Sequence, residues 1–263
     1  MTKDKRVERE LKELKGVSDK KIKSEQTDLE KRLKEAVAEK NKVLAAMTMI
    51  RVALPTLWGG NRSLASGDAS GWKEVLDYSG ACVAVFDRVG FNSDYAIGKG
   101  APALLLLLGV NGWSTEFAKV RTALNDALKK LDRDERDGVK LGYFAAFCAD
   151  WMATGKAEPR GPKGPLYKLA EQASGKLTDK VLKDVCEFQL KNGGQSDDDD
   201  TEMVNFMLTP VWWFAIARAR QKLGLETPRP DHALFSTPFA TLPEKLKYDP
   251  KKNPFVKRVE KLE

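Results

Sequence analysis

The chain has 263 residues with 45 Lys+Arg against 38 Asp+Glu, and its three cysteines, Cys82, Cys148 and Cys186, form no C-x-x-C pair. A chain of this length buries roughly three quarters of its unfolded surface, so it needs neither a disulfide nor a metal to hold a core. The charge of +7 sits in the ends: the first 50 residues carry 14 basic against 10 acidic residues, the last 23 carry 7 against 4, and 51–240 is neutral. A dedicated DNA-binding domain concentrates its basic residues on the folded surface, so this distribution argues against that class.

Each cysteine stands among apolar neighbours, in ACVAVF, AFCADW and DVCEF. They read as buried free thiols in a reducing compartment. The N-terminus is too charged for a signal peptide, and no apolar run approaches the roughly 20 residues of a membrane span. APALLLLLGV (101–110) is the longest such run. A soluble, cytoplasmic protein without a membrane partner is expected.

In chain order, residues 3–47 are Lys/Glu-rich with a polar break at Gly16-Val17-Ser18. Beyond the break Leu29, Leu33, Val37, Leu44 and Met47 recur at helical spacing and predict one amphipathic helix. Pro55 and the segment WGGNRSLASGDASG (58–71) predict a loop. A helix follows with Trp72, Val75, Leu76, Ser79, Cys82, Val83 and Phe86 on one side, ending near Gly90. Ala101 to Leu108 are apolar all round, as in a buried helix or, as the second reading, a buried strand. Residues 114–131 form a helix with Ser114 as N-cap and Phe117, Val120, Leu124, Leu128 and Leu131 as its stripe.

Residues 139–152 repeat that pattern, and EPRGPKGPL (158–166) is a loop. A helix over about 178–190 runs through Val181, Leu182, Val185 and Phe188. NGGQSDDDD (192–200) is an acidic loop. VWWFAIARARQKLGL (211–225) is a helix whose Trp212, Trp213 and Phe214 point in directions about 100° apart. That geometry suits a central core helix gripped on several sides and does not suit a flat stacking platform. Arg218 and Arg220 mark where the helix meets solvent or an acid such as Asp231. From Pro228 onward repeated prolines forbid long helices.

The whole reads as all-α, one compact multi-helix domain of two packed halves. The divisions are a charged arm at 1–24, an N-terminal helical half at 25–135, a C-terminal half at 136–248 and a basic tail at 249–263.

Candidate chemistry is sparse. His232 is the only histidine, which excludes multi-histidine metal sites and makes any histidine-dependent nucleophile rest on it alone. Beside Asp231 in RPDHALF it reads as a structural residue of a turn. GFNSDYAIGKG fails the phosphate-loop template, because Ser93 replaces the first glycine and Gly100 follows Lys99. Asp197, Asp198, Asp199 and Asp200 lack the spacing of a calcium loop. With Asp132, Asp134 and Glu135 of LDRDERD, they are candidate docking points for a basic partner. No catalytic residue, cofactor or metal is expected.

Over residues 211–239 the chain resembles the C-terminal half of the PoNi-like immunity proteins. These are antitoxins to PoNe-type DNase toxins delivered between bacteria, commonly by type VI secretion. Trp212 and Phe214 match the aromatic cluster of that pattern, and Ala217 and Ala219 its small residues. Leu223-Gly224-Leu225 matches the helix end, Glu226 the acidic turn, and Asp231-His232 the Asp-His pair. Phe235 and Pro238 stand near the aromatic-proline ending. Ala215 replaces the family's acidic residue, and Arg218 and Arg220 stand where small apolar residues are usual.

The resemblance implies a non-enzymatic protein that binds a cognate toxin, a nuclease domain, one to one. A homodimer is left open. The second reading is a helical nucleic-acid-associated protein that uses its Lys/Arg-rich ends.

Overall fold

The computed structural model describes residues 4–90, 94–131, 139–192 and 206–262. Among them are eleven α-helices and no strand. They are α1 (Lys5–Lys15), α2 (Asp19–Ala38), α3 (Lys42–Ala65), α4 (Trp72–Val89), α5 (Asp94–Asn111) and α6 (Ala118–Lys130). Then come α7 (Lys140–Thr154), α8 (Pro165–Gln172), α9 (Asp179–Asn192), α10 (Val211–Gln221) and α11 (Pro254–Glu260).

The starts are written locally. Asp4, Ser18, Asn41 and Asn253 each accept a backbone N–H of the first turn of α1, α2, α3 and α11, the role in which short polar side chains satisfy donors that the helix leaves open. Short connections fold α2 back on α3 and α3 on α4, and these pairs make two of the largest interfaces. On the far side α5 lies against α4, α7 and α10. Its residues Ala103 to Leu108 are fully buried, as an all-round apolar helix requires. Gly109 allows α10 to come this close, because a Cβ there would stand 2.5 Å from Phe214 Cβ and 2.9 Å from the Phe214 carbonyl carbon. One hydrophobic core runs through all of these helices, from Val7 in α1 to Val259 in α11.

The structure departs from the sequence reading at several points. The stretch 29–47 is two helices, with Lys40 between them at φ 54°. Val37, near the end of α2, and Leu44, near the start of α3, placed on the buried stripe by spacing, are exposed at 49% and 44%. Pro55 and Trp58 to Ala65 are helical, since α3 runs to Ala65. The Gly59-Gly60 pair that suggested a loop is a packing feature: a Cβ on Gly60 would stand 2.7 Å from the Gly71 carbonyl oxygen. α3 is therefore a 24-residue helix long and apolar enough to cross a membrane by length and composition, which the reading of apolar runs missed; 56% of its most apolar window is buried inside the fold.

Ser114 precedes a 3-10 turn, with α6 starting only at Ala118, and its buried hydroxyl makes no cap bond. α8, unforeseen, begins on Pro165, a residue pre-set for the first helical turn.

Both charged ends are stitched to the body. Arg6 joins Asp4 and, at 2.8 Å, Glu187 of α9. Arg62 of α3 reaches Asp19 and the Val17 carbonyl. At the other end Asn111 holds the Tyr248 backbone through both N–H and C=O. Arg258 meets Glu30 of α2 through two bonds of 2.7 Å. Such stitching fixes where the two ends of the chain lie on the body, and so which surface they wall.

Candidate binding cleft

The aromatic helix α10 comes first, because its residues set the position of everything around it. Trp212 is fully buried, and its indole N–H donates to Gln189 Oε1 at 2.7 Å. Trp213 donates to the Pro228 carbonyl, and Phe214 stands edge-on to Trp72 with ring centroids 6.0 Å apart. Trp212 and Trp213 both meet Phe235, at 6.1 and 5.5 Å. The three rings thus face α9, the proline-rich segment and α4. They are core and brace, and offer no common face to a ligand. Gly224 ends the unit with φ 70°, a left-handed turn that a side chain rarely adopts.

Gln189 is the residue that spacing overlooked. It sits fully buried on α9, and the two N–H groups of its amide are shared among the carbonyls of Phe206, Met207 and Thr209. The apolar stripe read from spacing ends on Phe188, which is only partly buried. A polar residue four after Val185 and eight after Val181 was the available signal. Through these bonds Gln189 fixes residues 206–209 against Trp212.

Arg220, the expected partner of solvent or of Asp231, is buried at 4% and meets neither. Its guanidinium donates to the carbonyls of Ala173, Gly175 and Glu226. Those of Ala173 and Gly175 lie just past the C-terminus of α8, where open carbonyls attract a cation. Asp231 is exposed.

His232 Nδ1 accepts the Leu234 N–H and caps the 3-10 turn Ala233–Ser236. With that lone pair engaged, Nε2–H donates to Glu187 Oε1 at 3.0 Å. His232 and then Arg6 hold the Glu187 carboxyl below its usual range. This ties α1, α9 and the proline-rich segment into one electrostatic knot. The thiols of Cys82 and Cys186 are pushed by burial up to about 12, and that of Cys148 well above its ordinary value. Thiols so raised are not nucleophiles at neutral pH. Among the described residues no three of His, Cys, Asp and Glu gather as a metal set. Asp197 to Asp200, Asp132, Asp134 and Glu135 lie outside the described residues.

The surface feature these elements build is an open cleft of about 400 Å³. α1 supplies Glu10, Glu13 and Leu14, and the turn Gly16-Val17 closes one end. Trp58 of α3 forms one wall, with Met207, Leu208 and Thr209 at the floor beside Phe239. Gln189 places that floor, while the Arg6–Glu187 and Arg62–Asp19 pairs place the α1 and α2 walls. Lys21 lies over the Trp58 ring at 5.6 Å. The Glu10 carboxyl is raised from its usual range, first by burial and then by Glu13. An apolar floor with charged residues around it is a layout that suits a protein contact.

Compared with protein-family models, curated proteins and solved structures, the chain matches none.

Proposed function

We propose that the protein is a stoichiometric inhibitor, a PoNi-like immunity protein that neutralises a PoNe-type DNase toxin in the cytoplasm by binding it, without turnover or cofactor. The observation that carries the reading is the closure of the 211–239 pattern upon itself. Residues up to 23 apart in sequence, Trp212, Trp213, Pro228, His232 and Phe235, form one contact set. A sequence pattern whose members hold one another in place is a scaffold signature, and it travels with a fold whose partner surface varies elsewhere. The ring nitrogens of His232 are both committed to that scaffold, which fits a binding protein better than a catalyst.

The decisive experiment is co-expression with a nuclease toxin encoded by a neighbouring gene. Growth is expected to be rescued, and a one-to-one complex to survive gel filtration. Absence of both with the intact wild-type chain refutes the reading.

A second reading, nucleic-acid association, rests on the exposed Lys23, Lys31 and Lys34 beside a shallow groove on α2. It requires DNA affinity that falls steeply with salt.

A further inference from the structure

We infer that the cleft between α1, α3 and residues 206–209 receives an arginine or lysine side chain, presented next to an apolar residue on a segment of the partner protein. This rests on the binding-protein reading and names its contact site.

The cleft holds unmatched charge. Glu30 and Asp150 are partly buried carboxylates, and each meets a guanidinium, Arg258 and Arg160, while the exposed Glu187 meets Arg6. Glu10 is also partly buried, yet no hydrogen bond or ion pair reaches its carboxylate among the described residues. Glu13, one turn further along α1, lines the same cleft, and its only ion pair among the described residues is a 3.9 Å contact with exposed Arg9. A carboxylate withdrawn from water without a cation is destabilised until one arrives.

The second observation is the aromatic wall. Trp58 already carries the ammonium of Lys21, itself a lining residue of the cleft, 5.6 Å from its ring centroid, so this aromatic wall accepts a cation. Lys21 is exposed and replaceable. Between these walls the partly exposed Leu14, backed by the buried Met207 and Leu208, offers an apolar edge for a methylene stem and a neighbouring apolar side chain. The volume falls in the range of roughly 300–1,000 Å³ that encloses a small ligand or a few side chains. Because the charges stand at the rim and the floor is apolar and open, the fit is to a protruding protein segment. An arginine fork pairs with a carboxylate through two bonds at once, so it is the favoured guest.

The test uses two probes, acetyl-Leu-Arg-Leu-amide and acetyl-Leu-Glu-Leu-amide, titrated into the full ¹⁵N-labelled chain. The arginine peptide is expected to shift the Trp58 indole and the Gly16 and Val17 amides saturably, with affinity roughly fivefold or more above that of the glutamate peptide. Glu10→Gln with Glu13→Gln is expected to erase that preference while amides remote from the cleft keep their positions. Lys21→Ala, which removes the competing ammonium, is expected to tighten the arginine peptide.

Equal affinity for the two peptides, shifts confined to other surfaces, or an undiminished preference in the Gln variant overturns the inference. A toxin that fails to bind the wild-type chain while the peptide results hold overturns the inhibitor reading and leaves the cleft assignment standing. Tight toxin binding that is indifferent to the Gln variant does the reverse.

Discussion

Replacing Gln189 by leucine keeps the volume of a buried side chain and removes only its polar atoms. The structure says what is then stranded. Among the described residues the Trp212 indole N–H has no other partner, and the Met207 carbonyl is bonded by Gln189 alone. The carbonyls of Phe206 and Thr209 keep a second bond each, from the backbone N–H of Thr209 and of Val211. Two buried groups are therefore orphaned, at about 1–3 kcal/mol each, which puts the cost near ~4 kcal/mol. Against a total stability of about 5–15 kcal/mol this is a large fraction, and the urea midpoint should fall by roughly 1 M with the slope unchanged. The same substitution in a Trp212→Phe background strands one group fewer, so the two changes should couple by about 1–2 kcal/mol. A single-variant cost below ~1 kcal/mol, or strict additivity, refutes the claim that Gln189 is the hub. Because residues 206–209 floor the cleft, Gln189→Leu should also weaken the arginine peptide without altering a rim residue.

Three further outcomes follow from single contacts. Gly109→Ala drives a Cβ into the Phe214 backbone and should cost ~1–3 kcal/mol, whereas Gly59→Ala in α3, with nothing within 4 Å of the new Cβ, should gain up to ~1 kcal/mol through helix propensity; thermal melts of the pair separate the effects. His232→Ala removes the acceptor of the Leu234 N–H and should cost ~1 kcal/mol, most of it recovered by His232→Asn, which can cap the same turn. The Arg258 guanidinium holds the Glu30 carboxyl below its ordinary value of 4.5. That pair therefore contributes above pH 4.5 and the contribution is lost as the pH falls below it. Arg258→Met should lower stability by ~1 kcal/mol at pH 7, and the gap to wild type should narrow progressively as the pH falls below 4.5 in urea titrations.

The elements legible in the sequence were those whose burial shows in side-chain periodicity. The apolar run in α5 and the stripes of α4, α6, α7 and α9 needed only a 3.6-residue repeat, because each buries one face or all faces. What periodicity cannot show is a residue whose role is set by its distant neighbour. Gly60 reads as a breaker until Gly71 is known to lie against it, and Pro55 reads as a stop although the rest of α3 carries the helix through. Val37 and Leu44 keep the helical period but stand exposed on either side of the turn at Lys40. Arg220 suggested an acid partner because charge usually meets charge; the open carbonyls beyond α8 were invisible until the chain had folded. The cleft has the same origin. Glu10, Trp58 and Met207 are nearly 200 residues apart at the extremes, and no local pattern joins them.

The two basic ends set the final step. They were attractive as arms for nucleic acid because the net charge lies there, and truncating them looks like the obvious test. In the folded chain, however, α1 carries Val7 into the core and supplies Glu10, Glu13 and Leu14 to the cleft, while α11 buries Phe255, Val256 and Val259 and anchors α2 through Arg258. Truncation would remove walls and core together, so a loss of DNA affinity would report unfolding as readily as lost phosphate contacts. Charge reversal of exposed lysines leaves the packing untouched. Lys23→Glu, Lys31→Glu and Lys34→Glu lie on the solvent side of α2, away from the buried Leu29, Leu33 and Ala36. If the ends grip phosphates, this triple variant loses salt-dependent binding and keeps toxin neutralisation; if the cleft is the working surface, Glu10 and Glu13 govern neutralisation and the lysines do not.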